Sequence, residues 1–152
     1  MFMNRDEEMA VSHASPPSGL DTGLAKLVER ALDAASHSYS PYSKFRVGAA
    51  LRLTNGEIVT GTNVESASYG LTICAERAAL VRAISELGPE IRIGAVAVAN
   101  LNGKASPPCG ACRQMLSEFA LPDASVVFTE SDCVRVIPFH ELLPLAFEMK
   151  PK

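Results

Sequence analysis

The chain is 152 residues long, 47% hydrophobic and 20% charged, with a formal net charge of -3. That length supports one domain with a core of its own rather than two, and 14 basic residues scattered among 17 acidic ones leave no electrostatic footprint for a phosphate backbone. The longest apolar runs, such as VGAAL and GAVAVA, fall far short of the ~20 residues a membrane helix needs, so neither nucleic acid nor membrane is expected as a partner.

Residues 1–20 mix acidic side chains with Ser, Pro and Gly and lack the basic-then-apolar layout of an export signal. They read as a flexible tail on a cytoplasmic protein, ahead of a domain over residues 21–148. Leu24, Leu27, Val28, Ala31, Leu32 and Ala35 recur at helical spacing and predict an amphipathic first helix. After the turn-rich SYSPYSKF, the segments FRVGAALRL and EIVTGTNVE flank Asn55-Gly56, a step suited to tight hairpin turns, and predict two antiparallel strands. Polar SASYGL leads to a second helix from about Ile73 to Leu87, ended by Gly88-Pro89. IRIGAVAVAN reads as a buried strand, LNGKASPP as a loop and Cys109 to Phe119 as a third helix. SVVFT and VRVIP read as two further strands, with a short terminal helix in FHELLPLAF. Alternating helices and strands predict a single three-layer α/β domain, a mixed sheet of about five strands flanked by helices.

Four cysteines are an even number, but a cytosolic chain able to build a core has little need of disulfides, so their clustering points to metal or catalysis. Cys109 and Cys112 form C-x-x-C at a helix start, where three-residue spacing brings both sulfurs to one face, and Cys74 holds the equivalent place on the preceding helix. Helix starts favour the thiolate, the form that binds metal. Three thiolates make a soft site for Zn²⁺ that leaves one tetrahedral position open for water. Glu76, two positions after Cys74, would lie beside the metal without binding it, placed to move a proton between water and substrate. Because three thiolates outweigh the charge of the ion, something must offset the anionic shell. Arg77 is the candidate, either touching a sulfur or simply solvated on the helix surface. Cys133 reads as a small buried hydrophobe, and His13, His37 and His140 lack ligand spacing.

Taken alone, C-x-x-C also fits a redox pair or half of a structural zinc site. Cys-Ala-Glu upstream and proline before Cys109 match the pattern of the zinc-dependent base deaminases. PYSKFRVGAAL, GTNVESASYGLTICAERAAL, SPPCGACRQML and ELLPLAF, in that order, closely resemble the small nucleoside-specific cytidine deaminases over roughly Leu24 to Phe147. The resemblance implies hydrolytic conversion of cytidine and deoxycytidine to uridine and deoxyuridine with release of ammonia, a step of pyrimidine salvage. It implies one Zn²⁺ per chain on Cys74, Cys109 and Cys112, with Glu76 shuttling protons as zinc-bound hydroxide attacks C4. It further implies that Asn63 and Glu65 bind the ribose, that Phe45 packs on the pyrimidine, and that the backbone of Ala75 contacts the base. The family forms homotetramers in which neighbouring subunits complete each pocket, and Tyr69 and Phe147 resemble those contributions. Leu145 stands where family members often carry glycine. Four other readings compete: deamination of a cytosine-containing antibiotic such as blasticidin S, a zinc that only braces two helices, a thiol redox pair, and editing of cytosines in nucleic acid.

Overall fold

Asn55-Gly56 does turn the chain. In the computed structural model, which describes residues 19–130 and 133–150, strand β1 (Val47–Leu53) pairs antiparallel with β2 (Ile58–Thr62), and Gly56 takes a φ of +90° between them. Helix α1 (Thr22–Ala35) precedes this hairpin, its first turn capped by Asp21, whose side chain accepts the Leu24 N–H at 2.9 Å. Next come α2 (Ala75–Leu87), β3 (Ile93–Asn100), α3 (Gly110–Ser117), β4 (Ala120–Glu130), β5 (Cys133–Pro138) and the single turn α4 (Phe139–Leu142). Residues 1–18 of the expected tail, His13 among them, lie outside the described residues.

The five strands form one mixed sheet in the order β2-β1-β3-β4-β5, in which only β3 and β4 run parallel. A parallel neighbour needs a crossover, and α3 supplies it. Side-chain size sorts the two faces. From β3, Val96 and Val98 enter the core beneath α2, α3 and α4, while Ala95, Ala97 and Ala99 face α1. Ile93 shares the valine face despite its odd spacing because the register shifts between Ile93 and Ala95. With alanines on one side, α1 can approach closely, and Gly48 makes the contact tighter still: a Cβ there would stand 1.9 Å from the Ala31 carbonyl oxygen. Gly61 does the same for α2, where a Cβ would stand 2.3 Å from the Ala79 nitrogen.

Two element boundaries differ from expectation. Ile73 is not helical, because its N–H and carbonyl both pair with Val64, at 2.9 and 3.0 Å, so α2 begins only after Cys74. β4 starts at Ala120, five residues before the apolar run that marked it, since Ala120 pairs with Ile93 of β3. SASYGL contains a short 3-10 turn at Tyr69–Leu71.

Candidate active site

Two helix starts build the site. Cys74 is the N-cap residue of α2 and Cys109 that of α3, both with extended backbone, and neither uses its side chain to cap its helix. The sulfurs are thus free to meet, close to first-turn N–H groups that have no partner within the helix. Sγ of Cys109 lies 3.8 Å from that of Cys74 and 3.5 Å from that of Cys112, one turn into α3, and all three fall within 4.8 Å of one another. A tetrahedral ion with bonds of about 2.3 Å sets its sulfurs about 3.8 Å apart, so the spacing fits zinc.

Ionisation points the same way. The Cys74 thiol is lowered to about 5, first by the hydrogen bond from Cys112 and then by Arg77. Cys112 is raised, because its proton serves the Cys74 sulfur, because it is desolvated, and because Glu76 and Cys74 put negative charge beside it. One thiolate therefore forms readily and opposes the next, so the full trio requires a cation among the sulfurs. Of the two readings of Arg77, the geometry supports contact: Nη2 lies 3.7 Å from Cys74 Sγ and donates to the Thr72 carbonyl at 3.2 Å.

A cavity of about 250 Å³ opens beside the sulfurs, and Phe45, Asn63, Ala75 and Glu76 line it together with Cys74 and Cys109. Ala75, first residue of α2, is fully buried there. Glu76 is 4% exposed, and burial, with the nearby Cys74 charge adding, pushes its carboxyl up to about 7. A group poised near neutrality both accepts and returns protons at physiological pH. Thr72 is shared with a second cavity of about 380 Å³, lined also by Tyr42, Ser43, Glu65 and Tyr69.

Asn63 and Glu65 are already engaged. The Asn63 Oδ1 accepts from the Ser38 hydroxyl at 2.6 Å and the Val47 N–H at 2.9 Å, while Nδ2 donates to the Phe45 carbonyl at 2.8 Å. Glu65 accepts from the Ser43 hydroxyl and from the N–H groups of Tyr42 and Ser43, at 2.9 and 3.2 Å. The Ser43 hydroxyl contributes most to holding the Glu65 carboxyl below its ordinary range. With about four acceptor sites on a carboxylate and two protons on an amide, one acceptor at Glu65 and one donor at Asn63 remain.

Tyr69 and Phe147 sit apart from the sulfurs. Tyr69 is 79% exposed with its ring edge-on to Tyr42, and Phe147, 71% exposed, lines neither cavity, its carbonyl accepting from Gln114 Nε2 at 3.0 Å. Cys133 corrects its expectation: it is exposed rather than buried, because it opens edge strand β5 opposite Glu130, whose carbonyl its Sγ contacts at 3.2 Å. His37 and His140 are exposed, the ring of His37 bonded to the Asp33 carbonyl and that of His140 to the Pro122 carbonyl.

The family described as "Cytidine and deoxycytidylate deaminase zinc-binding region" matches residues 22–129. The chain belongs to this deaminase family. It is 44% identical over 123 residues to the cytidine deaminase of Halalkalibacterium halodurans, covering 80% of this chain and 91% of that one. To the cytidine deaminase of Mycobacterium tuberculosis it is 49% identical over 117 residues, or 77% of this chain and 84% of the other. The crystal structure of cytidine deaminase from Mycobacterium tuberculosis superposes with a TM-score of 0.73 at 39% identity, covering 85% of this chain and all 100% of that one. The match runs through the zinc-binding segment, and the enzyme's cluster of Cys74, Cys109 and Cys112 falls inside it. Sequence reading passed over Thr72 and Ser106, which also line the cavity beside the sulfurs. Ser106 was within reach, being a polar residue just ahead of the ligand motif.

Proposed function

We propose that this chain hydrolytically deaminates cytidine and deoxycytidine to uridine and deoxyuridine with release of ammonia, as a cytoplasmic enzyme of pyrimidine salvage. The observation that carries the reading is Glu76, a buried carboxyl pushed up to about 7, on the wall of a cavity shared with sulfurs at zinc spacing. Relatives and solved structures named cytidine deaminase support the choice of base and sugar.

In this reading Cys74, Cys109 and Cys112 would hold one zinc per chain, and that ion would supply the Lewis acidity that makes water a nucleophile near neutral pH. Glu76 would take a proton from the water that attacks C4 of the ring and pass it to ring N3. It then carries the second proton of the water to the amino nitrogen, the C4–N bond breaks, and ammonia leaves as the C4 carbonyl forms. Arg77 offsets the charge of the sulfurs through its contact with Cys74. Phe45 packs on the pyrimidine, and the N–H of Ala75, orphaned at the helix start, meets the base. The remaining donor of Asn63 and acceptor of Glu65 complement a sugar hydroxyl, which both donates and accepts. Tyr69 and Phe147, exposed in the single chain, act in a homotetramer by completing a neighbour's pocket.

Glu76→Gln tests the assignment. Metal analysis should find zinc retained near one per chain while cytidine turnover falls by about 10²–10⁴-fold or more. A rate equal to that of the parent would leave zinc as a brace between two helices and end the catalytic reading. Assay of the parent against blasticidin S should show a strong preference for cytidine.

A further inference from the structure

Phe45 lies just before the start of β1, where the β1–β3 ladder ends at the Val47–Asn100 pair. Beyond that pair the regular pairing of the two strands ends, and one side chain helps to hold them together. Asn102 Oδ1 accepts the Arg46 N–H at 2.9 Å and Asn102 Nδ2 donates to the Lys44 carbonyl at 2.9 Å, so the amide grips the backbone on both sides of Phe45. The Leu101 N–H adds a bond to the Arg46 carbonyl at 3.1 Å. In effect the Asn102 amide supplements the last backbone bond of the antiparallel ladder.

The other end of this brace reaches another residue of the cavity lining, Ser106. Asn100, only 9% exposed, accepts at Oδ1 from the N–H groups of Asn102 and Lys104, at 3.0 and 3.3 Å. Its Nδ2 donates to the Lys104 carbonyl at 2.8 Å and to the Ser106 hydroxyl at 2.9 Å, which saturates the amide. Ser106 and Phe45 line the same cavity. A continuous run of hydrogen bonds therefore spans Ser106, Asn100, Asn102 and the peptide units around Phe45. Lys44 adds a second sign that the segment is held, for its φ of +60° is one that non-glycine residues adopt only where neighbours enforce it.

We propose that Asn102 is a positioning residue: by clamping Lys44 and Arg46 it sets the Phe45 ring against the cavity wall carrying Ser106, and so governs nucleoside binding without touching the proton transfers. This rests on the deaminase reading for its kinetic consequence. Asn102→Ala removes both side-chain bonds, and KM for cytidine should rise about tenfold while kcat stays within about twofold and zinc content is unchanged. The loss should run through the ring, so in a Phe45→Ala background the same substitution should move KM by less than about twofold. Equal effects in the two backgrounds, an unchanged KM, or a fall in kcat alone would overturn the proposal. Should Asn102→Ala fail to fold, Asn102→Ser carries the same cycle. A crystal structure of the variant keeps this inference apart from the activity: an undisplaced Phe45 ring overturns the clamp, whereas an unsubstituted protein that leaves cytidine untouched overturns the deaminase reading.

Discussion

A carboxyl group at 4% exposure is costly to ionise, and Glu76 shows the consequence in a pKa near 7 against an ordinary 4.5. Between those values the folded, metal-free chain keeps a proton that the unfolded chain has released, so its stability falls as pH rises across that window. The loss amounts to about 3 kcal/mol above pH 7 relative to below pH 4.5. Glu76→Gln should abolish it. In chelator-stripped protein the variant should melt higher than the parent at pH 8, with the two converging near pH 4 by calorimetry; equal melting temperatures at pH 8 would contradict burial as the cause. Leu145 is a second residue governed by its surroundings. Fully exposed, with a φ of +59°, it occupies a backbone conformation that suits glycine.

Among the elements, α2 matters most because one helix carries Cys74, Ala75, Glu76 and Arg77 at its start. Its seat on the sheet depends on Gly61, where an added Cβ would meet the backbone of Ala79 at 2.3 Å and the Ala75 carbonyl oxygen at 2.7 Å. No rotamer relieves a clash with backbone, so Gly61→Ala must push the helix outward. Thermal unfolding should show a loss of about 1–3 kcal/mol, accompanied by weaker zinc retention against a chelator. Gly70→Ala, which meets nothing within 4 Å and carries no positive φ, is the control for the glycine change itself and should leave zinc retention intact. The helix boundary also explains why the thiol is available. Had Ile73 joined the helix, Cys74 would sit inside a turn, whereas the bridge to Val64 makes it the N-cap residue.

At the scale of the molecule, Tyr69, Leu71, Phe147 and Met149 each expose at least 70% of their surface in the single chain. The proposed homotetramer would cover such groups. Sedimentation equilibrium should therefore report four times the 16.2 kDa chain mass, and a monomeric species at micromolar concentration would remove the role given to Tyr69 and Phe147. Much of this was legible in the order of residues. Short-range pattern places the helices, the Asn55-Gly56 hairpin and the Cys109–Cys112 pair, because a C-x-x-C at a helix start needs only one turn of geometry to bring its sulfurs together, whereas the fold brings Cys74 to them from 35 positions away. Cys133 was misjudged because exposure at the edge of β5 depends on which strand lies beside it, not on residue type. The brace from Asn102 to Lys44 was invisible for a related reason, since 58 positions separate the partners. What the sequence by itself determined is the chemistry available: three thiols, a carboxyl and the local periods that carry them. Tertiary structure alone decided how that chemistry is tuned, because the burial that raises Glu76 and the meeting of Cys74 with Cys109 and Cys112 depend on segments distant in the chain that exclude water from one another.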